Sequence, residues 1–281
     1  MLKSAVWFLT MACNYKCEYC WEVQYQLQGR FKAHPIPPAE KWAEAFNRIR
    51  PGILDITGGE PFLMPRFVWF LEQLDPAIRI AITSNISRDF EEYVNSPAIK
   101  KVFSMTCSYH PSQSENKDGQ SLEVFTQKVL RLRGAGIQHL TVNFVAYPEQ
   151  MHLIPELKRH FEGLSIRFHV DPFAMNVPKN PYTPEQEAFL KPFVGADRLA
   201  DAKQGDNVMC DGGQQHLSIQ PDGQAYRCIL DKQLTFENYP NIKPVGNIFN
   251  ADFALNPGKT FCDQRYRCPG CDKDKVQIER L

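Results

Sequence analysis

Three cysteines, Cys13, Cys17 and Cys20, stand at CxxxCxxC spacing directly after the apolar run Ala5 to Leu9. Thiolates placed this way can hold three irons of a four-iron cube and leave the fourth iron open, because protein ligation of a whole cluster takes four cysteines. An open iron is a place where a small molecule coordinates. The competing chemistry for the same side chains is a zinc site with a remote fourth ligand, although structural zinc sites usually show paired CxxC spacing. Five more cysteines (Cys210, Cys228, Cys262, Cys268 and Cys271) lie after position 209, and Cys107 stands alone between the two groups. Nine is an odd number, so complete disulfide pairing is impossible. The uneven placement points to two metal or cluster sites, one towards each end. A second chemistry-bearing stretch is Gly58-Gly59-Glu60-Pro61. Paired glycines let backbone approach a ligand closely, and a carboxylate suits an ammonium group.

Something must hold these residues together, and the apolar pattern says what. Strands are expected at Ala5 to Thr10, Ile53 to Thr57, Ile78 to Thr83, Val102 to Ser108, Leu140 to Val145 and Ile166 to Asp171, separated by longer amphipathic stretches. Two of those stretches read as helices on local grounds, Pro38 to Ile49 opening on a proline and Leu122 to Leu132 stopping before Gly134 and Gly136. Alternation of this kind predicts an α/β fold, a partial (β/α)6 TIM-like barrel. Right-handed crossovers place the C-terminal end of every strand on one rim. CxxxCxxC follows the first strand, Gly58 to Pro61 the second, Thr83-Ser84-Asn85 closes the third, Ser108 ends the fourth and Asn143 lies in the fifth. In the sixth strand Arg167, His169 and Asp171 share one face and Ile166, Phe168 and Val170 the other. The charged face is expected to look into the barrel, where ionisable groups are costly unless they bind something or pair with one another. In the fourth strand Thr106 and Ser108 should face inward and Cys107 outward, as a core filler.

The chain has 281 residues, 43% of them hydrophobic, enough for one substantial core and a smaller appended unit. The division expected is a core barrel over 1–182, a linker helix over 183–204 with Thr183 as N-cap and Pro184 in the first turn, and a cysteine-rich unit over 205–281. The Pro- and Asn-rich passage Val177 to Pro184 marks the boundary. Beyond Gly205 long apolar runs are few, so a metal or cluster is expected to staple the segment. The 32 basic and 32 acidic residues cancel without forming a basic stripe, which argues against nucleic acid. No run approaches the roughly 18 apolar residues of a membrane span, and no signal segment is apparent; a cytoplasmic protein is expected.

With GGEP standing one βα unit after CxxxCxxC, the chain resembles the radical S-adenosylmethionine (SAM) superfamily. The resemblance implies a 4Fe-4S cluster on Cys13, Cys17 and Cys20, whose open iron is chelated by the amino and carboxylate groups of SAM. It places Tyr19 by the adenine, Gly58, Gly59, Glu60 and Pro61 at the methionine amino group, and Ser84, Ser108 and Asn143 among the SAM contacts, each with an ordinary strand-end role as the alternative. The C-terminal cysteines resemble the SPASM/twitch domains of that superfamily, through Cys210, then Gly223 with four residues between it and Cys228, and the closing Cys268-Pro-Gly-Cys271. Five cysteines rather than the SPASM seven imply one auxiliary 4Fe-4S cluster on Cys210, Cys228, Cys268 and Cys271. Cys262 is then surplus, unless it displaces a ligand or serves as a hydrogen donor; a zinc ribbon is the alternative use of the same residues. The implied activity is radical oxidation (dehydrogenation) or epimerisation of a sugar-like or cyclitol small molecule, of the kind met in natural-product biosynthesis, with an electron donor such as flavodoxin or ferredoxin as partner. Modification of a ribosomally made peptide is the second expectation, ranked lower because relatives of that kind often carry an extra recognition domain before the cluster loop. A non-catalytic iron-sulfur or zinc scaffold is the third, and the ammonium-binding loop argues against it.

Overall fold

The computed structural model describes residues 1–20, 35–114, 117–173, 182–194, 208–229, 231, 243–262 and 278–280. Its organising element is the first strand, β1 (Ser4–Thr10), in which all seven residues are buried. A strand covered on both faces reads as a continuous apolar run, and here the faces divide cleanly. Trp7 packs on Trp42 and Phe46 of helix α1 (Ala39–Ile49) and on Phe70 of α2 (Phe67–Gln73), with ring centroids 4.5, 4.9 and 5.2 Å apart. Val6 and Phe8 turn to the other side and pack with Met11 and Ile229.

From β1 the sheet runs in chain order through β2 (Ile53–Gly58), β3 (Arg79–Ser84), β4 (Val102–Ser108), β5 (His139–Ala146) and β6 (Arg167–Pro172), every pair parallel. Between them lie α1, α2, α3 (Phe90–Asn95), α4 (Leu122–Gly134) and α5 (Ile154–Gly163). This is the partial α/β barrel expected from the sequence, and its strand C-termini share one rim. Expected and observed strand limits differ by one residue at most positions, for local reasons. The Ile166 N–H caps α5 through Phe161 O (2.9 Å) after Ser165 turns left-handed at φ 55°, so β6 begins at Arg167. Likewise Ile78 closes a turn onto Asp75 O (2.9 Å), and β3 starts one residue later. Pro38 precedes α1 rather than opening it, its carbonyl accepting from Lys41 N and Trp42 N.

After β6 comes α6 (Pro184–Val194), started by a reciprocal cap in which Gln186 N donates to Thr183 Oγ1 (3.3 Å) and Thr183 N to Gln186 Oε1 (3.0 Å). Strand β7 (Val208–Cys210) belongs to a separate antiparallel sheet, while β8 (His216–Ile219) lies parallel to β1 on its free side. Antiparallel β9 (Gln224–Tyr226) and β10 (Gly246–Asn247) then extend the large sheet. The small sheet is completed by β11 (Thr260–Cys262) and β12 (Ile278–Arg280), one on each side of β7. The segment after Gly205 therefore both forms its own sheet and covers the edge of the barrel. Among the described residues no helix is long and apolar enough to cross a membrane.

Because Trp7 is wholly buried among three other aromatic rings, Trp7→Ala is expected to cost about 3–5 kcal/mol. A denaturant titration checks this, and a loss below about 1 kcal/mol would show that the β1–helix contact is not the centre of the core.

Candidate cofactor site

The two motifs meet at the rim. Where β1 ends, Gly58 stands in register with Thr10, Gly59 N donates to Thr10 O (2.6 Å) and Glu60 N to Ala12 O (2.9 Å). These bonds require bare glycines. Gly58 sits at φ +126°, and a Cβ on Gly58 or Gly59 would run into the carbonyl oxygens of Thr10 and Ala12. The GGEP loop is thereby fastened to the entrance of the cysteine loop.

Within that loop Cys17 and Tyr19 are buried and Cys13 and Cys20 partly so, packed with Tyr15, Val145, Tyr147 and Phe173. Cys20 N donates to Cys17 O (3.0 Å), Tyr15 N to Cys13 Sγ (3.4 Å), and Asn85 Nδ2 lies 3.9 Å from the same sulfur. Burial pushes the Cys13 and Cys17 thiols up to about 12 each, with the neighbouring thiols adding to the effect. Such thiols remain protonated at neutral pH and make poor nucleophiles; their thiolate form calls for a cationic partner such as iron.

Glu60 is fully buried, and its carboxylate accepts three hydrogen bonds from inside the protein. One oxygen accepts from Phe62 N (3.1 Å) and Ser84 Oγ (2.7 Å), the other from Asn85 N (2.8 Å). Ser84 Oγ also accepts from Ile86 N (2.8 Å), so both residues expected at the ligand act here as internal ties. Asn85, pinned in this way, donates to Asn14 Oδ1 (3.1 Å), and Gln120 Nε2 donates to Asn85 O (2.8 Å) and Tyr15 OH (3.3 Å).

Tyr19 hydrogen-bonds His110 Nδ1 through its hydroxyl (2.8 Å) and stacks on that ring at 5.8 Å. Desolvation pulls His110 down to about 4, so it stays neutral. Ser108 and Asn143 are register partners on the half-buried face of the sheet, and Asn143 Oδ1 is buried without a hydrogen-bond partner. An orphaned buried oxygen of this kind calls for a donor. Three clustered cysteines, a cradle that any Cβ would fill and this lone acceptor fit the amino-acid and nucleoside ends of SAM and a three-cysteine cluster.

Further along the same face Thr141, Asn143 and Val145 stand opposite Arg167, His169 and Asp171. Phe168 and Val170 join the helix-side core, and His169 Nε2 contacts Asp171 Oδ1 at 3.2 Å. Cys107 lies in the helix-side core, its thiol raised above its ordinary value by burial. Cys210 and Cys262 lie on the small sheet and Cys228 follows β9. Cys268 and Cys271 lie outside the described residues. Among the described residues no three His, Cys, Asp or Glu side chains gather closely enough to hold a single metal ion. His110 and Gln120 were not singled out by the sequence, since each acts on a partner about 90 or more residues away in one case and 35 and 105 in the other.

No protein-family model matches the chain. Eighty residues are 34% identical to the GTP 3',8-cyclase of Stenotrophomonas maltophilia strain R551-3, a match covering 27% of this chain and 24% of that protein. Sixty residues are 38% identical to the GTP 3',8-cyclase of Shewanella denitrificans, covering 21% and 18%. The chain thus matches about a quarter or less of these relatives' length. Among solved structures, SuiB of Streptococcus suis bound to S-adenosylmethionine aligns with a TM-score of 0.61 at 15% identity, over 89% of this chain and 64% of SuiB. A second SuiB structure, bound to the precursor peptide SuiA, aligns at 0.59 and 15%. The anSMEcpe enzyme with bound AdoMet aligns at 0.60 and 14%, over 89% of this chain and 78% of that one. The fold is the one shared by SuiB and anSMEcpe, both of which were solved with S-adenosylmethionine bound.

Glutamine in place of Glu60 has one acceptor oxygen where the carboxylate uses two, so at least one of three buried donors loses its partner. Glu60→Gln is expected to cost about 1–3 kcal/mol in a denaturant titration. Burial raises Glu60 from 4.5 to about 7. Between those values the folded chain holds a proton that the unfolded chain releases, so this residue's contribution is full below pH 4.5 and is lost as pH rises through 7. Stability measured from pH 4 to 8 should therefore decline less steeply in the variant; an unchanged slope would assign the titration elsewhere.

Proposed function

We propose that this chain is a radical SAM enzyme, with one 4Fe-4S cluster on Cys13, Cys17 and Cys20 and SAM bound along the rim of the barrel. The observation that carries the reading is the pair of backbone hydrogen bonds from Gly59 and Glu60 to Thr10 and Ala12, which seats the GGEP loop against the cysteine loop. When bound, the cluster and SAM supply a reductively generated 5'-deoxyadenosyl radical able to remove a hydrogen atom from an unactivated C–H bond. The protein's own part is to bind, orient and exclude. The GGEP backbone takes the methionine end, Tyr19, steadied by His110, borders the adenine, and Ser108 and Asn143 offer hydrogen bonds to the remainder. Buried Tyr15 and Tyr19, with partly buried Tyr147 and Phe173, form an aromatic wall that shields the cysteines.

For the substrate, the polar face of Thr106, Thr141, Arg167, His169 and Asp171 suits a hydroxyl-rich small molecule, sugar-like or cyclitol, undergoing dehydrogenation or epimerisation. A peptide substrate is the second reading, favoured by the shared fold with SuiB, one structure of which holds a precursor peptide. The C-terminal cysteines, in this reading, form a twitch-type unit with an auxiliary 4Fe-4S cluster, and electrons arrive from a flavodoxin or ferredoxin.

Replacing Cys13, Cys17 and Cys20 together by Ala is expected to abolish SAM cleavage and to lower iron content by about half, because the two cysteine groups share no ligand. Iron analysis and detection of 5'-deoxyadenosine measure both. Substantial SAM cleavage by the triple variant would refute the assignment. Anaerobic turnover with perdeuterated sugars, cyclitols and peptides then sorts the substrate classes by deuterium recovered in 5'-deoxyadenosine.

A further inference from the structure

Of the cysteines after residue 209, Cys210 and Cys262 stand on the small sheet and Cys228 follows β9 of the large one. In the antiparallel pairing of β7 with β11, Cys210 faces Thr260 and Val208 faces Cys262. Directly paired residues share a face, as do residues two apart on one strand. Cys210 and Cys262 therefore lie on the same face as diagonal neighbours, about 7–8 Å apart. Cys262 is close enough for its charge to raise the Cys210 thiol, whose main shift comes from burial.

Cys228 is brought to the same place by its neighbour. The Arg227 guanidinium donates to Phe261 O (2.8 Å) and Thr260 Oγ1 (3.3 Å) on β11, and to both carboxylate oxygens of Asp231 (2.5 and 2.8 Å). Its burial disfavours the charged form, and Asp231, Cys228 and Cys262 more than offset that. The Arg227 carbonyl closes against Gly212, where a Cβ would stand 3.0 Å from it and 3.3 Å from Cys210 Sγ. Gly212 N donates to that sulfur (3.3 Å). One arginine thus sews together the strand ends that carry Cys210 and Cys262 and the turn that carries Cys228.

We infer that Cys262 is an iron ligand of the auxiliary cluster, alongside Cys210 and Cys228, and is neither a surplus thiol nor a hydrogen donor to substrate. This rests on the reading that a second cluster is present.

The test uses the full chain carrying Cys13, Cys17 and Cys20→Ala, in which any remaining iron belongs to the second site. After anaerobic reconstitution this background should keep its iron and the EPR signal of the reduced cluster. Adding Cys262→Ala should strip most of that iron. Adding Cys262→Ser, which preserves size and folding, should shift the EPR signal or make the cluster labile. Adding Cys107→Ala, in a core away from the cysteines, should leave iron and signal unchanged. If the background holds no iron, the second-cluster reading itself fails. Should the background hold iron while both Cys262 variants match it in iron and EPR signal, the ligand assignment is overturned.

Discussion

Two peptide N–H groups meeting two peptide oxygens decide where everything else in the site can be. Thr10 and Ala12 offer their carbonyls at the point where β1 stops, and Gly59 and Glu60 satisfy them from the end of β2. Backbone contact this close leaves no room for a Cβ, so the two glycines answer to the approach of one loop to another, whatever either does for a ligand. Once the loops are joined, the position of Cys13 relative to Gly59 follows from main-chain geometry. That is why a cofactor contacting both loops does not depend on long, mobile side chains to find its place.

Glu60 carries the constraint to the third strand. A carboxylate without solvent is expensive, and this one is made tolerable by three donors, two of them from Ser84 and Asn85. Asn85 in turn reaches towards Cys13 and is held by Gln120, which also steadies Tyr15. The network closes on itself around the cysteine loop, so three successive strand ends move as one piece. Tyr19 and His110 extend the arrangement to the fourth strand through a single hydrogen bond and a stacked ring pair. Preorganisation of this kind fixes the orientation of whatever the rim binds before any reaction begins.

The strands were legible because the face packed under the helices requires a buried apolar residue at every second position, and each of the six appears within a residue of its expected place. The cysteine and glycine motifs were legible for a different reason: their spacing is itself the chemistry. What the sequence could not show is the internal hydrogen bonding of Glu60 and Ser84. A carboxylate at a strand end looks like a ligand group in sequence, and only the fold reveals that three internal donors already surround it. His110 and Gln120 escaped because a hydrogen bond across about a hundred residues leaves no periodicity to detect. The edge-covering role of the last third was equally hidden. His216 meets Ser4 at 2.8 Å, and β8 continues the sheet beyond β1, yet four-residue strands between turns carry little pattern.

That edge pairing bears on how the two cysteine groups relate. A barrel with a bare β1 edge would present unpaired N–H and C=O groups to any passing strand. Here β8 fills that edge directly from the chain that has just passed Cys210, and β9 leads at once to Arg227 and Cys228. The turn that bears a cysteine is therefore continuous, through two short strands, with the strand that precedes CxxxCxxC. Arg227 then ties this extension of the large sheet to β11 of the small one. Among the described cysteines of this segment, Cys228 thus follows directly from the sheet that positions the first three, and Cys210 and Cys262 on the small sheet are joined to it through Arg227.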